Sequence, residues 1–406
     1  MKRSISTLLL VFLAGIVSLN AQNVDPGVDG SGRTQTINTI TTAVPFLMIA
    51  PDARGGALGD AGVASTPDAN SMHWNPAKYA FVDKQMGFSL SFSPWLRKLV
   101  NDIYLGYLSG YYKLDDRQTV AMSLRYFSLG EILFTDEIGN PLNYYNPYEF
   151  ALDATYARKF SEKWSGGIAG RFIYSNLTQG QYVGGAESSA GISVAADVSV
   201  YYRTDVQLGD VDGHFAWGMN ISNIGSKISY SSTNIKKDFI PTNLKIGPSL
   251  TVDIDEYNSL SFMLDINKLL VPTPPIYARD SNNQFITTPD GEKVINSGMN
   301  PDVSVVQGMI HSWYDAPGGF AEEMREFSFG GGVEYWYNKL FAIRGGFFYE
   351  DKTKGNRKFF TLGAGLKYNV FGIDFAYLIP LEQQNPLENT LRFSLFFDFE
   401  AFQGQN

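Results

Sequence analysis

The sequence has no cysteine and only three histidines among its 406 residues. Without cysteine the chain forms no disulfide bond, thiolate metal site or cysteine nucleophile. The histidines, His73, His214 and His311, are scattered and show none of the spacings of a metal site. The serine-hydrolase motif GxSxG is absent as well. These absences predict a protein that is not an enzyme and that holds no metal or cofactor.

Clusters of basic residues and long apolar runs are also missing. The chain has 32 Lys and Arg against 41 Asp and Glu, a formal net charge of −9. Because phosphate binding needs concentrated positive charge, we expect no nucleic-acid partner. After the first segment, no run approaches the roughly 20 apolar residues of a membrane-spanning helix. If the mature chain crosses a membrane, it has to do so with strands.

The first 21 residues have the pattern of an export signal. Lys2 and Arg3 form a positive start, Leu8 to Val17 form a short apolar stretch, and Ala21 is a small residue before the expected cut. Leu19 is not ideal three residues before that cut, so the cleavage position stays open. We expect a cleaved signal peptide over residues 1–21 rather than a membrane anchor, because the apolar stretch is short.

A period of two dominates residues 85–402. In the last segment, apolar Leu391, Phe393 and Leu395 alternate with Arg392 and Ser394, which places successive side chains on opposite faces of a sheet. About fourteen segments of roughly ten residues repeat this pattern. Their approximate centres are residues 90, 107, 122, 154, 170, 196, 218, 248, 263, 332, 345, 363, 375 and 395.

The connectors between these segments alternate in length. Short connectors include 115–117, 161–163, 255–258, 337–339 and 369–370, with 204–213 as a longer exception. Long connectors include 129–147, 177–188, 225–240, 269–324 and 379–389. Outer-membrane barrels have short periplasmic turns and long extracellular loops, whereas a β-sandwich has no reason to sort its connectors. We therefore predict an all-β fold, a transmembrane antiparallel barrel of about 14 strands in the bacterial outer membrane, with lipid around it.

The inner face of the predicted barrel carries both signs of charge. A filled lumen held by ion pairs is favoured over a polar conduit, because barrel interiors carry such groups for structural reasons. The predicted inward residues are Arg125, Asp153, Arg171, Asp197, Asp265, Glu334, Arg344, Lys367, Asp374 and Arg392. Aromatic residues near the short turns are predicted to form a girdle in the headgroup zone, with ordinary hairpin contacts as the alternative. These residues are Tyr111, Tyr112, Trp164, Tyr257, Tyr335, Trp336 and Tyr368.

Two segments do not follow the strand pattern. Residues 22–84 begin with a polar stretch and continue with apolar residues, glycines and prolines, and we expect this segment to pack inside or beneath the barrel. The connector 269–324 is long for a loop, and long loops are often functional. Its second part is predicted to form a short helix, with a protein contact, a lid or packing over the barrel mouth as alternatives. The candidate partner-binding residues are Val305, Met309, Ile310, Trp313 and Tyr314.

Several short runs resemble a known family. The runs TAVPFL at 42–47, APDAR at 50–54, GDAGVA at 59–64, DANS at 68–71 and WNPA at 74–77 closely resemble the PorV family of the Bacteroidota type IX secretion system. The Asn-Pro-Ala of the last run also occurs in the wider FadL-like barrels, so the full stretch from Thr42 to Phe81 is the more specific signal. The resemblance extends through the barrel in strand number and layout.

The resemblance implies a function that composition alone does not. PorV-like proteins accept secreted cargo, through its C-terminal signal domain, from the SprA/Sov translocon barrel. They deliver it to the cell-surface attachment complex that contains the PorU sortase. The chain is then expected to be a shuttle and docking protein with no catalytic role. A FadL-type transporter of hydrophobic small molecules is the alternative, and a lipid A hydrolase, a role also proposed for the family, lacks a hydrolase motif here.

Overall fold

A computed structural model describes residues 37–95, 102–135, 138, 140–177, 182–183, 186–231, 237–381 and 390–399. The chain divides into two units, Met1–Asn38 and Thr39–Asn406, and every element below belongs to the second. The predicted signal peptide, residues 22–36 and the end of the last strand at Phe402 lie outside the described residues. Within the described part of the chain, no helix has the length and apolar character to cross a membrane.

Fourteen antiparallel strands form a closed barrel in which each strand pairs with the next along the chain. The last strand pairs with the first, with Leu395 opposite Leu90. All fourteen predicted segments are confirmed, and each predicted centre falls inside its strand. The strands are β1 Met86–Pro94, β2 Ile103–Lys113, β3 Gln118–Leu129, β4 Tyr148–Lys159, β5 Trp164–Asn176, β6 Gly191–Leu208, β7 Val211–Gly225, β8 Asn243–Asp253, β9 Asn258–Leu269, β10 Phe327–Tyr337, β11 Phe341–Tyr349, β12 Lys358–Tyr368, β13 Phe371–Pro380 and β14 Leu391–Phe399.

The connectors sort by length between the two ends of the barrel. One end, the short-turn end, carries 114–117, 160–163, 209–210, 254–257, 338–340 and 369–370. The other, the long-connector end, carries 95–102, 130–147, 177–190, 226–242, 270–326, 350–357 and 381–390. The predicted exception at 204–213 is wrong, because β6 and β7 continue to a two-residue turn at Gly209 and Asp210. The polar side chains there belong to an exposed hairpin end.

The predicted inward charges lie inside the barrel. Along each strand, buried and exposed residues alternate, as in β13, where Gly372, Asp374 and Ala376 are buried between exposed neighbours. All ten predicted residues except Lys367 are buried, and Lys367 is ion-paired with Asp398. The outward row is aliphatic and aromatic, which is the surface that hydrocarbon requires.

The aromatic girdle is confirmed in part. Tyr112, Trp164, Tyr257 and Tyr368 are exposed on the outer face near the short turns. Tyr111 is buried against Tyr79 in the lumen, and Trp336 lies beneath the guanidinium of Arg344. Those two predictions are wrong because neighbouring residues in a strand point to opposite faces. A second outward row stacks near the long-connector end, with successive ring centroids 5.5–6.2 Å apart, and comprises Phe92, Tyr104, Tyr126, Tyr148 and Tyr174.

Candidate functional site: a filled lumen and a long rim loop

Residues 43–84, here called the plug, run through the lumen from the long-connector end to the short-turn end. At the first end Ala43 donates its N–H to the Phe239 carbonyl (2.9 Å), and at the other Phe81 lies under Lys159. Four short helices follow one another, at Pro45–Met48, Ala53–Gly56, Ser71–Trp74 and Pro76–Phe81. The prediction that the segment before the barrel packs in the lumen is confirmed for residues 43–84.

Local sequence explains these helices. Asp52 precedes the second one, and its carboxylate accepts the Gly55 N–H (2.8 Å) as an N-cap. Asn75 caps the fourth by accepting the Ala77 N–H (3.0 Å), and Pro76 follows at its first position, where no N–H is needed. The Asn-Pro-Ala run is therefore a helix-start signal, and its Asn75 amide also donates to the Val63 and Val200 carbonyls, which joins the plug to β6.

Near the long-connector end the plug seals the lumen with apolar side chains. Val44, Phe46 and Leu47 are buried against inward residues of the wall, including Leu105 and Phe127. The rings of Phe46 and Phe127 stack with centroids 6.2 Å apart. Arg125 adds a polar tie, because its guanidinium donates to the Leu47 carbonyl (2.6 Å). This part of the lumen is filled with packed side chains.

In the middle of the lumen the plug backbone touches the wall backbone. Gly59 has a φ of +70°, and a Cβ atom there would lie 2.4 Å from the Phe347 carbonyl. Its N–H is bound by the Thr361 hydroxyl (3.0 Å), and the next turn binds Asp265 through the Gly62 and Val63 N–H groups (2.8 and 3.0 Å). The glycines of this run allow close approach to the wall.

Charged groups complete the packing. Arg54 of the plug donates to Glu334 of β10 (2.7 Å) and Asp68 (2.9 Å), and Arg344 of β11 binds the same Glu334 (2.6 Å). Arg344 also binds Asp374 of β13 (2.6 Å). A second cluster joins Arg171 to Asp153, Asp197 and Asn223. Nine of the ten predicted inward charges therefore lie in ion pairs, as the sequence predicts, and the tenth, Arg125, binds the Leu47 carbonyl.

The plug is bound to strands around most of the circumference. Its hydrogen bonds and ion pairs reach β2, β3, β5 to β10, β12 and β14. The wall partners are Ser109, Arg125, Ser165, Ser199, Val200, Asn220, Lys245, Asp265, Glu334, Thr361, Arg392 and Ser394. Removing the plug from the lumen would leave many of these buried groups without partners, which is costly.

Burial inside the lumen shifts the pKa of several plug groups. Burial and the nearby Asp68 raise the pKa of Asp52 to about 6, although the Gly55 N–H and the Trp74 indole N–H stabilise its charged form. Burial lowers the pKa of Lys78 to about 8, and its ammonium donates to the Gly62 carbonyl and the Ser65 hydroxyl. Burial and Arg125 hold the pKa of His73 well below its usual value. These shifts reflect the desolvation of a tightly packed plug.

Beneath the plug, at the short-turn end, a cavity of about 920 Å³ remains. Its lining includes Arg54, Asp68, Tyr111, His214 and Trp336. The plug separates this vestibule from the long-connector end.

The connector 270–326, here called the rim loop, is an ordered structure. It contains a small hairpin that pairs Ile276–Tyr277 with Ile295–Ser297, and helices at Val305–His311, Phe320–Glu323 and Met324–Glu326. The predicted short helix is confirmed. Buried charges fix the returning half: Lys268 binds Glu323 and Glu326 (3.2 and 2.8 Å), and Lys354 binds Glu322 and Glu326 (2.6 and 3.0 Å).

The five candidate partner-binding residues lie together on the rim loop but differ in exposure. Ile310, Trp313 and Tyr314 are exposed, whereas Val305 and Met309 are half-buried. In the second half of the loop, sequence reasoning missed three further exposed apolar residues, Val306, Phe320 and Met324. Helical spacing from Ile310 would have identified Val306, because residues four apart share one face of a helix.

Solved structures with a similar fold include a hydrocarbon channel and a toluene transporter. A TodX deltaS2S3 mutant, a monoaromatic hydrocarbon channel, is 14% identical with a TM-score of 0.50, and the match covers 86% of this chain and 99% of that chain. The toluene transporter TbuX of Ralstonia pickettii is 13% identical with a TM-score of 0.46, covering 87% of this chain and 99% of that one. At these identities the likeness concerns the fold alone. No protein with a curated function matches the sequence.

Fold and lumen together define a closed fourteen-stranded β-barrel that is filled by the plug. Residues 32–276 match the family described as Type IX secretion system protein PorV, and the chain belongs to this family. It is accordingly an outer-membrane protein of the type IX secretion system. The matched region includes the whole plug and the first nine strands of the barrel.

Proposed function

We propose that the chain is a shuttle and docking protein of type IX secretion. It receives cargo, through the cargo's C-terminal signal domain, from a SprA/Sov-like translocon barrel and delivers it to a PorU-like attachment complex. In this proposal the short turns face the periplasm, and the long connectors are extracellular. The rim loop then projects from the cell surface.

The filled lumen is the observation that carries this proposal. Because the plug binds ten of the fourteen strands, protein cargo has no path through the barrel. Partners then have to meet outer surfaces, and the rim loop is the longest connector at the long-connector end. Its buried ion pairs favour a fixed docking platform over a flexible loop.

A transporter of hydrophobic small molecules fits the lumen less well. An apolar solute would need an apolar pocket or path, yet the mid-lumen is crossed by the paired charges of Arg54, Glu334, Arg344 and Asp374. The apolar part near the long-connector end is occupied by Phe46 and Leu47.

A non-catalytic role is part of the proposal. His73 accepts a hydrogen bond from Arg125 (2.8 Å), and His311 lies 3.5 Å from the Gln307 amide, so the hydrogen-bond partner of each is a residue other than serine. We expect purified protein to release no acyl chains from lipid A. Measurable deacylation that is lost on substitution of one histidine would contradict this.

Replacing residues 300–320 by a glycine–serine linker tests the docking role. The linker should abolish co-purification with the translocon and leave cargo in the periplasm or unattached, while the barrel still folds, as judged by heat-modifiable migration on gels. A matched control shortens the hairpin turn 281–283, which lies away from the helix. Normal translocon binding and normal cargo attachment in the linker variant would refute the proposal.

A further inference from the structure

Part of the rim loop covers the outside of the barrel wall. Lys268 belongs to the outward row of β9 with Leu264 and Ile266, whereas Asp265 and Asn267 point into the lumen. An outward side chain on a barrel normally meets lipid, yet only 2% of Lys268 is exposed. The residues that cover it are Glu323 and Glu326, from the returning half of the rim loop.

Trp313 completes this cover. Its ring centroid is 6.3 Å from that of Phe327, the first residue of β10, which belongs to the same outward row as Phe329. The Lys268 ammonium lies 5.7 Å from the Trp313 ring and 5.2 Å from the Phe327 ring. Since Phe327 faces outward, the Trp313 indole also lies on the lipid side of the wall.

This contact lies at the upper edge of the apolar band. Strands rise about 3.3 Å per residue and tilt about 40°, so Lys268 lies about 25 Å above Asn258, close to the height of the apolar band of outer-membrane barrels. Phe327 of β10 and Tyr349 of β11 lie at the long-connector ends of their strands. Tyr174 of the second aromatic row lies near the same end of β5. Trp313 thus extends an aromatic girdle, and tryptophan favours the headgroup zone.

The helix above it is apolar on its exposed side. Val306, Ile310 and Trp313 follow the spacing i, i+4, i+7 and are 65%, 57% and 47% exposed. The opposite side is packed, with Gly308 against Phe239 and Pro272. Two further apolar residues of the returning half of the loop are exposed, Phe320 at 77% and Met324 at 46%.

We propose that Val306, Ile310, Trp313, Phe320 and Met324 form an outer-leaflet anchor that binds the headgroup and upper acyl-chain region of the lipid beside β9 and β10. The patch is continuous with the lipid-facing wall through Trp313 and Phe327, which favours lipid over a protein partner. Amphipathic segments with Trp and Phe on the apolar side bind membrane interfaces in this way. The Lys268 charge underneath is neutralised by Glu323 and Glu326, so covering it with lipid is tolerated.

The anchor rests on the membrane orientation given under the proposed function but concerns a different contact. It moves Ile310 and Trp313 from the protein-binding set to the lipid-binding set and leaves Tyr314, which follows the helix and is exposed, in the protein-binding set. In this proposal the buried ion pairs of Lys268 with Glu323 and Glu326 hold the returning half of the rim loop at one depth relative to the barrel.

Site-directed spin labelling tests the anchor. Because the chain has no cysteine, one introduced cysteine carries one nitroxide. The variants Ile310→Cys and Phe320→Cys are reconstituted, without any other protein, into vesicles of phosphatidylethanolamine and phosphatidylglycerol. Ile343→Cys on the outer barrel wall is the lipid control, and Ile286→Cys on the rim-loop hairpin is the water control; both side chains are exposed (53% and 43%).

Collision rates with oxygen and with a water-soluble nickel chelate give the outcome. At positions 310 and 320, we expect the nitroxide to be several-fold more accessible to oxygen than to the nickel chelate, as at the lipid control 343. At the water control 286, we expect the nickel chelate to have the greater access. Nickel accessibility equal to that at 286 would overturn the anchor. Exclusion of both reagents, as contact with a second copy would cause, would also overturn it. Since no secretion component is present, failure here is separate from failure of the docking role.

Discussion

Single residues in the lumen are held by paired charges and by glycines that allow close contact. Glu334 accepts from Arg54 of the plug and from Arg344 of the wall, so one carboxylate joins the two parts of the molecule. Sequence alone predicts that charges of both signs face inward. It does not predict their partners, because Arg54 and Glu334 are 280 residues apart and meet only when the barrel closes.

Replacing Glu334 by alanine should destabilise the protein by about 3 kcal/mol, because the buried guanidinium groups of Arg54 and Arg344 each lose one of their two carboxylate partners and a hydrogen bond to a charged group contributes about 1.5–3 kcal/mol. Unfolding by denaturant in detergent micelles or vesicles measures this change. The matched control is Asp116→Ala, which removes a fully exposed partner of Lys113 and should change little. Equal effects would mean that the lumen network is solvated.

Gly59→Ala should destabilise more than Gly209→Ala. Both residues have positive φ, +70° and +69°, so each substitution adds the strain of a left-handed conformation, about 1–2 kcal/mol. Only at Gly59 would the new Cβ meet wall backbone, whereas at Gly209 nothing lies within 4 Å. The difference between the two free energies of unfolding therefore measures the close contact. A difference near zero would contradict the described packing.

The strands of this molecule are predictable from the sequence, because different surroundings on the two faces of the sheet impose an alternating pattern of side chains. All fourteen strands follow from alternation, because one face meets hydrocarbon and the other meets the plug. The girdle prediction is wrong for Tyr111 and Trp336, because an aromatic residue near a turn can point to either face of the sheet. The extension of β6 and β7 to Leu208 and Val211 was missed because polar hairpin ends resemble loops.

Depth in the bilayer should control the cost of an outward charge on β14. Leu395 lies near the middle of the strand and opposite Leu90, so Leu395→Arg should cost about 2–4 kcal/mol. Leu391 begins the same strand on the same face, and Leu391→Arg should cost about 0–1 kcal/mol. Denaturant unfolding from vesicles measures both. The inward Ser394 is no control, because its hydroxyl binds the Ala53 N–H of the plug (2.8 Å).

The rim loop should be held more firmly at low pH. Burial and the nearby Glu323 and Glu326 raise the pKa of Asp315 to about 7. A raised carboxyl pKa means that the ordered loop binds a proton more tightly than the disordered loop, so this stabilisation is lost as pH rises from about 4 to about 7. Hydrogen-exchange protection of residues 305–326, corrected for intrinsic rates, should therefore be greater at pH 5 than at pH 8.

Asp315→Asn removes the titrating group and is the control for that measurement. We expect the variant to show equal protection at the two pH values. A pH dependence unchanged by the substitution would contradict its assignment to Asp315.

On the scale of the whole molecule, the barrel encloses the plug, and the proposed functional surfaces lie outside the lumen. The plug closes the lumen, the rim loop forms a fixed surface at one end, and a vestibule of about 920 Å³ remains at the other. The family runs between Thr42 and Phe81 belong to the plug, so the most recognisable part of the sequence supports the fold, while partner contacts are expected on the rim loop.

Locking the plug to the wall tests the central claim that cargo does not pass through the lumen. Ala53→Cys and Ser394→Cys place two thiols at a contact where the Ala53 nitrogen and the Ser394 hydroxyl are 2.8 Å apart, in a chain with no other cysteine. After oxidation in living cells, the amount of cargo attached at the cell surface is measured against each single variant. The account predicts undiminished attachment with the disulfide formed. Loss of attachment that a reductant restores would show that the plug has to move and would contradict the account.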